Sequence, residues 1–123
     1  FLHTLRTGLP HVDVLVISPL ACPLLEATAG PSRRTPSGAF EAEHLDYRSV
    51  ALTAERVRAS TATVVTALQD KDQRLHLVNG LDLLGKTEAH LLYDRLHPTP
   101  EGHQRIANRF SGIMRSLQES LRR

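Results

Sequence analysis

The run Val12-Asp-Val-Leu-Val-Ile17 constrains the fold of this chain more than any other stretch. It is short, β-branched and apolar almost throughout, which suits a parallel strand covered on both faces better than a half-exposed hairpin strand. Asp13 sits near the strand's entrance, where a carboxylate stays wet, and Pro19 ends the strand. A second short candidate, Arg74-Leu-His-Leu-Val78, ends at Asn79-Gly80. Asn-Gly often closes a hairpin, but Leu81-Asp-Leu-Leu84-Gly85 is too short and interrupted to be its return strand, so a loop leaving a parallel strand is preferred.

Helical patterns flank both strands. Phe1 to Arg6 reads as the last turns of a helix stopped by Gly8 and followed by Pro10. Residues 47–69 carry Val50, Ala54, Val57, Thr61, Val64, Val65 and Leu68 at three- and four-residue spacing, one broad apolar face with Arg48, Glu55, Arg58 and Asp70 mainly outside it. The β-branched content lowers intrinsic propensity, so packing must help hold this helix. Thr99-Pro100 supplies an N-cap and a first-turn proline for a last helix, whose stripe of Ile106, Phe110, Ile113, Met114, Leu117 and Leu121 is expected to be buried.

The order helix, strand, loop, helix, strand, loop, helix predicts a three-layer α/β/α sandwich with a parallel sheet. Two strands make a poor complete sheet, so residues 1–123 are expected to be the C-terminal portion of a single larger domain. Residues 20–46, broken by Pro23, Pro31, Pro36, Gly30 and Gly38, are expected to form a long substrate or lid loop, with short helical pieces around Glu26 and from Glu41 to His44. In that loop Leu24, Leu25 and Phe40 either line an acyl or leaving-group pocket or anchor the loop to the core.

Composition narrows the function classes. Fifteen Lys and Arg against 13 Asp and Glu leave a net charge of +2, spread along the chain, which is no footprint for nucleic acid. The single Cys22 precludes an intrachain disulfide and reads as a small, partly buried residue. No apolar run approaches the roughly 20 residues of a membrane span. The chain opens without Met inside a helical pattern, as a cropped or processed chain would, which leaves cytoplasmic and secreted settings both open.

The segment with chemistry in it is Tyr93-Asp-Arg-Leu-His97-Pro98-Thr-Pro-Glu-Gly102-His103. His97 lies in a short loop just before a helix, where packing alone does not call for a polar ring. Pro98 limits the backbone beside it. Asp94 is near enough in sequence for a turn to bring its carboxylate to one imidazole nitrogen, leaving the other to accept a proton from a nucleophile. A turn or capping hydrogen bond is the plainer reading of Asp94. An Asp94-His97-His103 metal set is disfavoured by the direction of the helix. His76, between Leu75 and Leu77, reads as structural.

This block resembles the last motif of the SGNH, or GDSL-like, hydrolases, Asp-x-x-His-Pro followed by a Gly-containing helix. The resemblance implies an SGNH/flavodoxin-like fold, with Asp94 as the triad acid and His97 as the general base of a serine-dependent ester hydrolase, lipase or esterase in type. It implies no metal or organic cofactor and a lipid, carbohydrate or other small ester as substrate. The family's Gly-Asp-Ser and Gly-x-Asn-Asp blocks are absent. None of the serines from Ser18 to Ser120 has the nucleophile's context, and neither Asn79 nor Asn108 stands in an oxyanion motif. On this reading the nucleophile comes from an N-terminal half of the domain, on the same or a separate chain, and the 123 residues alone are inactive. The rival reading is a non-catalytic binding or structural module derived from the same fold.

Overall fold

The computed structural model describes residues 1–43 and 52–122. In chain order its elements are α1 (Leu2–Gly8), β1 (Val14–Ile17), β2 (Ser32–Arg34), β3 (Phe40–Ala42), α2 (Ala54–Gln69), β4 (Leu75–Val78), α3 (Gly80–Leu83), a 3-10 segment (Lys86–Leu91) and α4 (Pro100–Leu121). The two strands expected from their β-branched runs pair in parallel, Val14 opposite Leu75 and Ile17 opposite Val78. The three-layer α/β/α sandwich of SGNH or flavodoxin type is corrected. The described residues hold two separate two-stranded sheets, β1-β4 and β2-β3, with no wider parallel sheet.

The antiparallel β2-β3 hairpin lies within residues expected to be loop. Its strands are only three residues each and lack a clean apolar alternation, so no period announces them. The turn holds them instead: Thr35 N–H donates to the Ala39 carbonyl at 2.8 Å, and Gly38 supplies a φ of 88°. The helical pieces expected nearby do not form in the described residues, since Glu26 lies in a turn region and Glu41 in a strand. His44 and the remainder of that loop lie outside the described residues.

Helix α2 starts at Ala54, where Thr53 caps it by accepting the Arg56 N–H at 3.1 Å. The expected start at Tyr47, with Val50 on its apolar face, lies outside the described residues. The face that α2 turns inward is also corrected. Val65 is buried against β4, but Val64 and Leu68 are exposed, while Arg58, expected outside the stripe, is only 8% exposed. Its guanidinium donates to the carbonyls of Pro19 and Leu20, each at 3.2 Å, and pairs with Glu26. Lys86 reaches the same Glu26 carboxylate at 3.0 Å. This buried cluster ties the chain leaving β1 to α2 and to the 3-10 segment.

On the other side, Leu84, Leu91 and Leu92 form a buried cluster with Leu20 and Ile106 packed on it. Glu88 fastens α4 to this cluster. It accepts from Arg105 at 2.9 Å, from Arg109 at 2.6 Å and from the Gly85 N–H at 2.8 Å. Farther along α4 the expected buried stripe is only half-buried at Phe110, Ile113, Met114 and Leu117. The first turn of α4 packs closely on the 3-10 segment, since a Cβ on Gly102 would stand 2.8 Å from the Leu91 carbonyl oxygen. Glycine there lets the helix begin directly behind the loop that carries Asp94 and His97. Among the described residues no helix is long and apolar enough to cross a membrane.

Candidate active site

Residues 92–98 form a tight loop whose mouth is closed by backbone pairing. Leu92 bridges Pro98 in antiparallel fashion, Tyr93 N–H donates to the His97 carbonyl at 3.1 Å, and Thr99 N–H donates to the Leu91 carbonyl at 2.7 Å. Thr99 then caps α4 by accepting the Gly102 N–H at 3.1 Å. Proline at the first helical position removes a donor that the helix start leaves unused. The sequence Pro98-Thr-Pro100 thus fixes where the loop stops and the helix begins.

Inside the loop, Arg95 adopts a φ of 72°, the left-handed region that non-glycine residues rarely occupy. The two following N–H groups both reach the Asp94 carboxylate. Leu96 N–H donates to Oδ1 at 3.0 Å and His97 N–H donates to the same oxygen at 2.7 Å. The second oxygen, Oδ2, accepts from the His97 ring at Nδ1, 2.7 Å away. Asp94 therefore pins the turn through one oxygen and holds the imidazole through the other.

Electrostatics decides the tautomer. Burial, with Asp94 only 8% exposed, works to raise its carboxyl. The His97 N–H, the His97 ring and the Leu96 N–H together outweigh that and bring it from the usual 3.8 down to about 2. The group is an anion at neutral pH and can only accept, so the His97 proton must reside on Nδ1. A neutral imidazole so fixed carries its lone pair on Nε2. The His97 side chain is 53% exposed and, among the described residues, no protein group bonds Nε2.

Two aromatic rings flank this imidazole. Tyr93 stacks on it with centroids 6.1 Å apart and planes 27° apart, and Phe40 meets it edge-on at 5.5 Å and 67°. Phe40 arrives from β3, whose Phe40 N–H donates to the Asp94 carbonyl at 3.0 Å. Of the loop residues expected to line a pocket or anchor the chain, Leu24 is buried, whereas the Phe40 ring meets the His97 imidazole. Tyr93 is adjacent to Asp94 in sequence, but Phe40 carried no signal beyond its aromaticity, because the hairpin that delivers it has none.

Other candidates fall away. The Ser18 hydroxyl is buried and accepts the Gly80 N–H at 3.0 Å, while Asn79 caps α3 through the Leu81 N–H at 3.2 Å. A cavity of 350 Å³ beside them is lined by Ser18, Glu55, Arg58, Leu77, Asn79 and Lys86, and reaches neither Asp94 nor His97. His103 is exposed on α4, and among the described residues no three His, Cys, Asp or Glu side chains gather at metal-binding range. His76 bonds Asp13 at 2.9 Å at the opposite end of the strands; that hydrogen bond is the largest influence lowering the Asp13 carboxyl.

No family model matches the chain, and no curated protein matches it significantly. Among solved structures, the chain is similar to the salicylyl-acyltransferase SsfX3 from a tetracycline biosynthetic pathway, with a TM-score of 0.68 at 18% identity. The match covers 95% of this chain and 30% of that structure. The likeness is one of fold. It overturns the assignment drawn from the Asp-x-x-His-Pro block, an SGNH or GDSL-like ester hydrolase, esterase or lipase acting on an ester substrate, because the protein sharing the fold is an acyltransferase. The physical reason is that an Asp-His pair specifies how a proton is handled, and the block says nothing about which hydroxyl receives the acyl group. The chain thus shares its fold with a segment of that structure, and it carries a half-exposed imidazole held by a buried carboxylate.

Proposed function

We propose that the Asp94-His97 pair is the general base of an acyl transfer, moving an acyl group from an activated donor to a hydroxyl acceptor. The observation that carries this reading is the 2.7 Å bond between Asp94 Oδ2 and His97 Nδ1, which leaves the lone pair on Nε2 of a half-exposed ring. The acyltransferase fold of the matching structure supports it. Because the chain spans 30% of that structure's length, we read residues 1–123 as one portion of a single larger domain and residues 20–46 as a loop over its site.

In the proposed step, Nε2 takes the proton from the acceptor hydroxyl as its oxygen attacks the donor's carbonyl carbon. A new carbon–oxygen bond forms, and the tetrahedral adduct collapses by breaking the bond to the leaving group. That group departs with the proton now on Nε2, so the imidazole returns neutral and no net charge is left behind. Asp94 stays ionised throughout and stabilises the transient imidazolium at 2.7 Å.

The test is transfer measured on the intact protein, with N-acetylcysteamine thioesters of alkyl and aryl acids as donors and a panel of alcohols as acceptors, the ester product being read by mass spectrometry. His97→Gln is expected to lower kcat by roughly 10³-fold, within the span of a lost general base. Asp94→Asn is expected to lower it by at least about tenfold by releasing the tautomer. Transfer at the unmodified rate in His97→Gln would overturn the reading.

A further inference from the structure

We infer that Phe40, delivered by the β2-β3 hairpin, is a positioning residue for the His97 imidazole, so that the hairpin is part of the catalytic apparatus rather than a decoration of the loop. The inference rests on the reading of His97 as a base, but it concerns a different element and can fail separately.

A ring held at Nδ1 by one carboxylate oxygen can still swing about that hydrogen bond, and a swing moves Nε2 farthest. Two further contacts restrict it. Tyr93 covers a face of the ring from within the same loop, and Phe40 sets an aromatic neighbour at an interplanar angle of 67° from a distant part of the chain. Edge-to-face geometry is directional as well as apolar, so it resists rotation where an aliphatic side chain would only fill space.

The placement of Phe40 is itself rigid. On one side Phe40 pairs with Arg34 across the hairpin. The turn between them is braced by Thr35 Oγ1 donating to the Ala39 carbonyl at 3.0 Å and by Arg34 Nε donating to the Gly38 carbonyl at 3.3 Å. The base of the hairpin is closed by Glu43 N–H donating to the Pro31 carbonyl at 2.9 Å. The whole unit is then registered on the active loop by Phe40 N–H donating 3.0 Å to the carbonyl of Asp94, the residue that holds the imidazole. One residue of the hairpin thus touches the acid through its backbone and the base through its ring. Phe40 is half-buried and stands apart from the Leu84, Leu91 and Leu92 cluster, so its position is not explained by the core.

The experiment compares the intact protein with Phe40→Ala, Phe40→Leu and Phe40→Tyr, reading the solvent exchange of the His97 Nδ1 proton by nitrogen-edited NMR and the kinetics of thioester transfer. In Phe40→Ala, exchange is expected to quicken about tenfold and kcat to fall about tenfold, with KM changed by less than about twofold. Phe40→Tyr is expected to retain both values and Phe40→Leu neither, which a merely space-filling role would not produce. Unchanged exchange and kcat in Phe40→Ala, or full retention by Leu, overturns the inference. If Phe40→Ala does not fold, the Leu and Tyr variants decide the question alone. If His97→Gln still transfers acyl groups, the acyl-transfer reading fails, while the exchange measurement still decides whether Phe40 positions the ring.

Discussion

Asp94 accepts three hydrogen bonds within one seven-residue loop, and its acidity follows from them. Its carboxyl lies at about 2 in the folded chain against the usual 3.8. Glu88, clamped first by Arg109 and next by the Gly85 N–H, falls from 4.5 to about 2. For groups depressed in this way, the stabilisation is fully present above the unfolded values, near pH 4, and is lost as pH falls towards about 2. The wild-type chain is therefore expected to lose stability steeply between about pH 4 and pH 2. The double variant Asp94→Asn, Glu88→Gln should show a shallower acid limb when unfolding is followed by circular dichroism, and parallel limbs would contradict the assignment. The neighbouring Arg95 makes a separate prediction. Its φ of 72° is tolerable for Arg but poor for a β-branched residue. Arg95→Val should cost about 1–2 kcal/mol in urea denaturation relative to Arg95→Gly; equal stabilities would show that the loop relaxes freely.

At the scale of elements, periodicity revealed what is regular and missed what is tied down by side chains. The parallel strands, the last helix with its Thr99-Pro100 start and the Asp94-His97 spacing were legible, because continuous apolar runs, caps and short-range turns are encoded in neighbouring residues. The hairpin was not, since three-residue strands have no period and its turn carries the register. The inward face of α2 was misread because a charged residue lies on it: Arg58 is buried by its carbonyl contacts and by Glu26, a partner remote in sequence. Removing Arg58 leaves Glu26 buried with Lys86 as its remaining cation. Arg58→Met is expected to destabilise the fold by about 3 kcal/mol, the order seen when one member of a buried pair is lost. Chemical denaturation showing less than about 0.5 kcal/mol would mean that the cluster is effectively solvated.

For the molecule as a whole, the Asp-x-x-His-Pro block pointed to a hydrolase, whereas the structure that shares the fold is an acyltransferase. On the proposed reading, whether water or another hydroxyl attacks an acyl carbon is decided by the walls around such a pair rather than by the pair. Nothing in an Asp-x-x-His spacing encodes those walls. What the loop encodes is the state of the imidazole. The tautomer of His97 in the intact protein, read from its ring nitrogen-15 shifts under conditions where the ring is neutral, therefore tests this state without reference to any substrate. The proton is expected on Nδ1, with a bare Nε2, in the wild type, and that preference is expected to be lost in Asp94→Asn. A neutral His97 carrying its proton on Nε2 in the wild type would contradict that expectation.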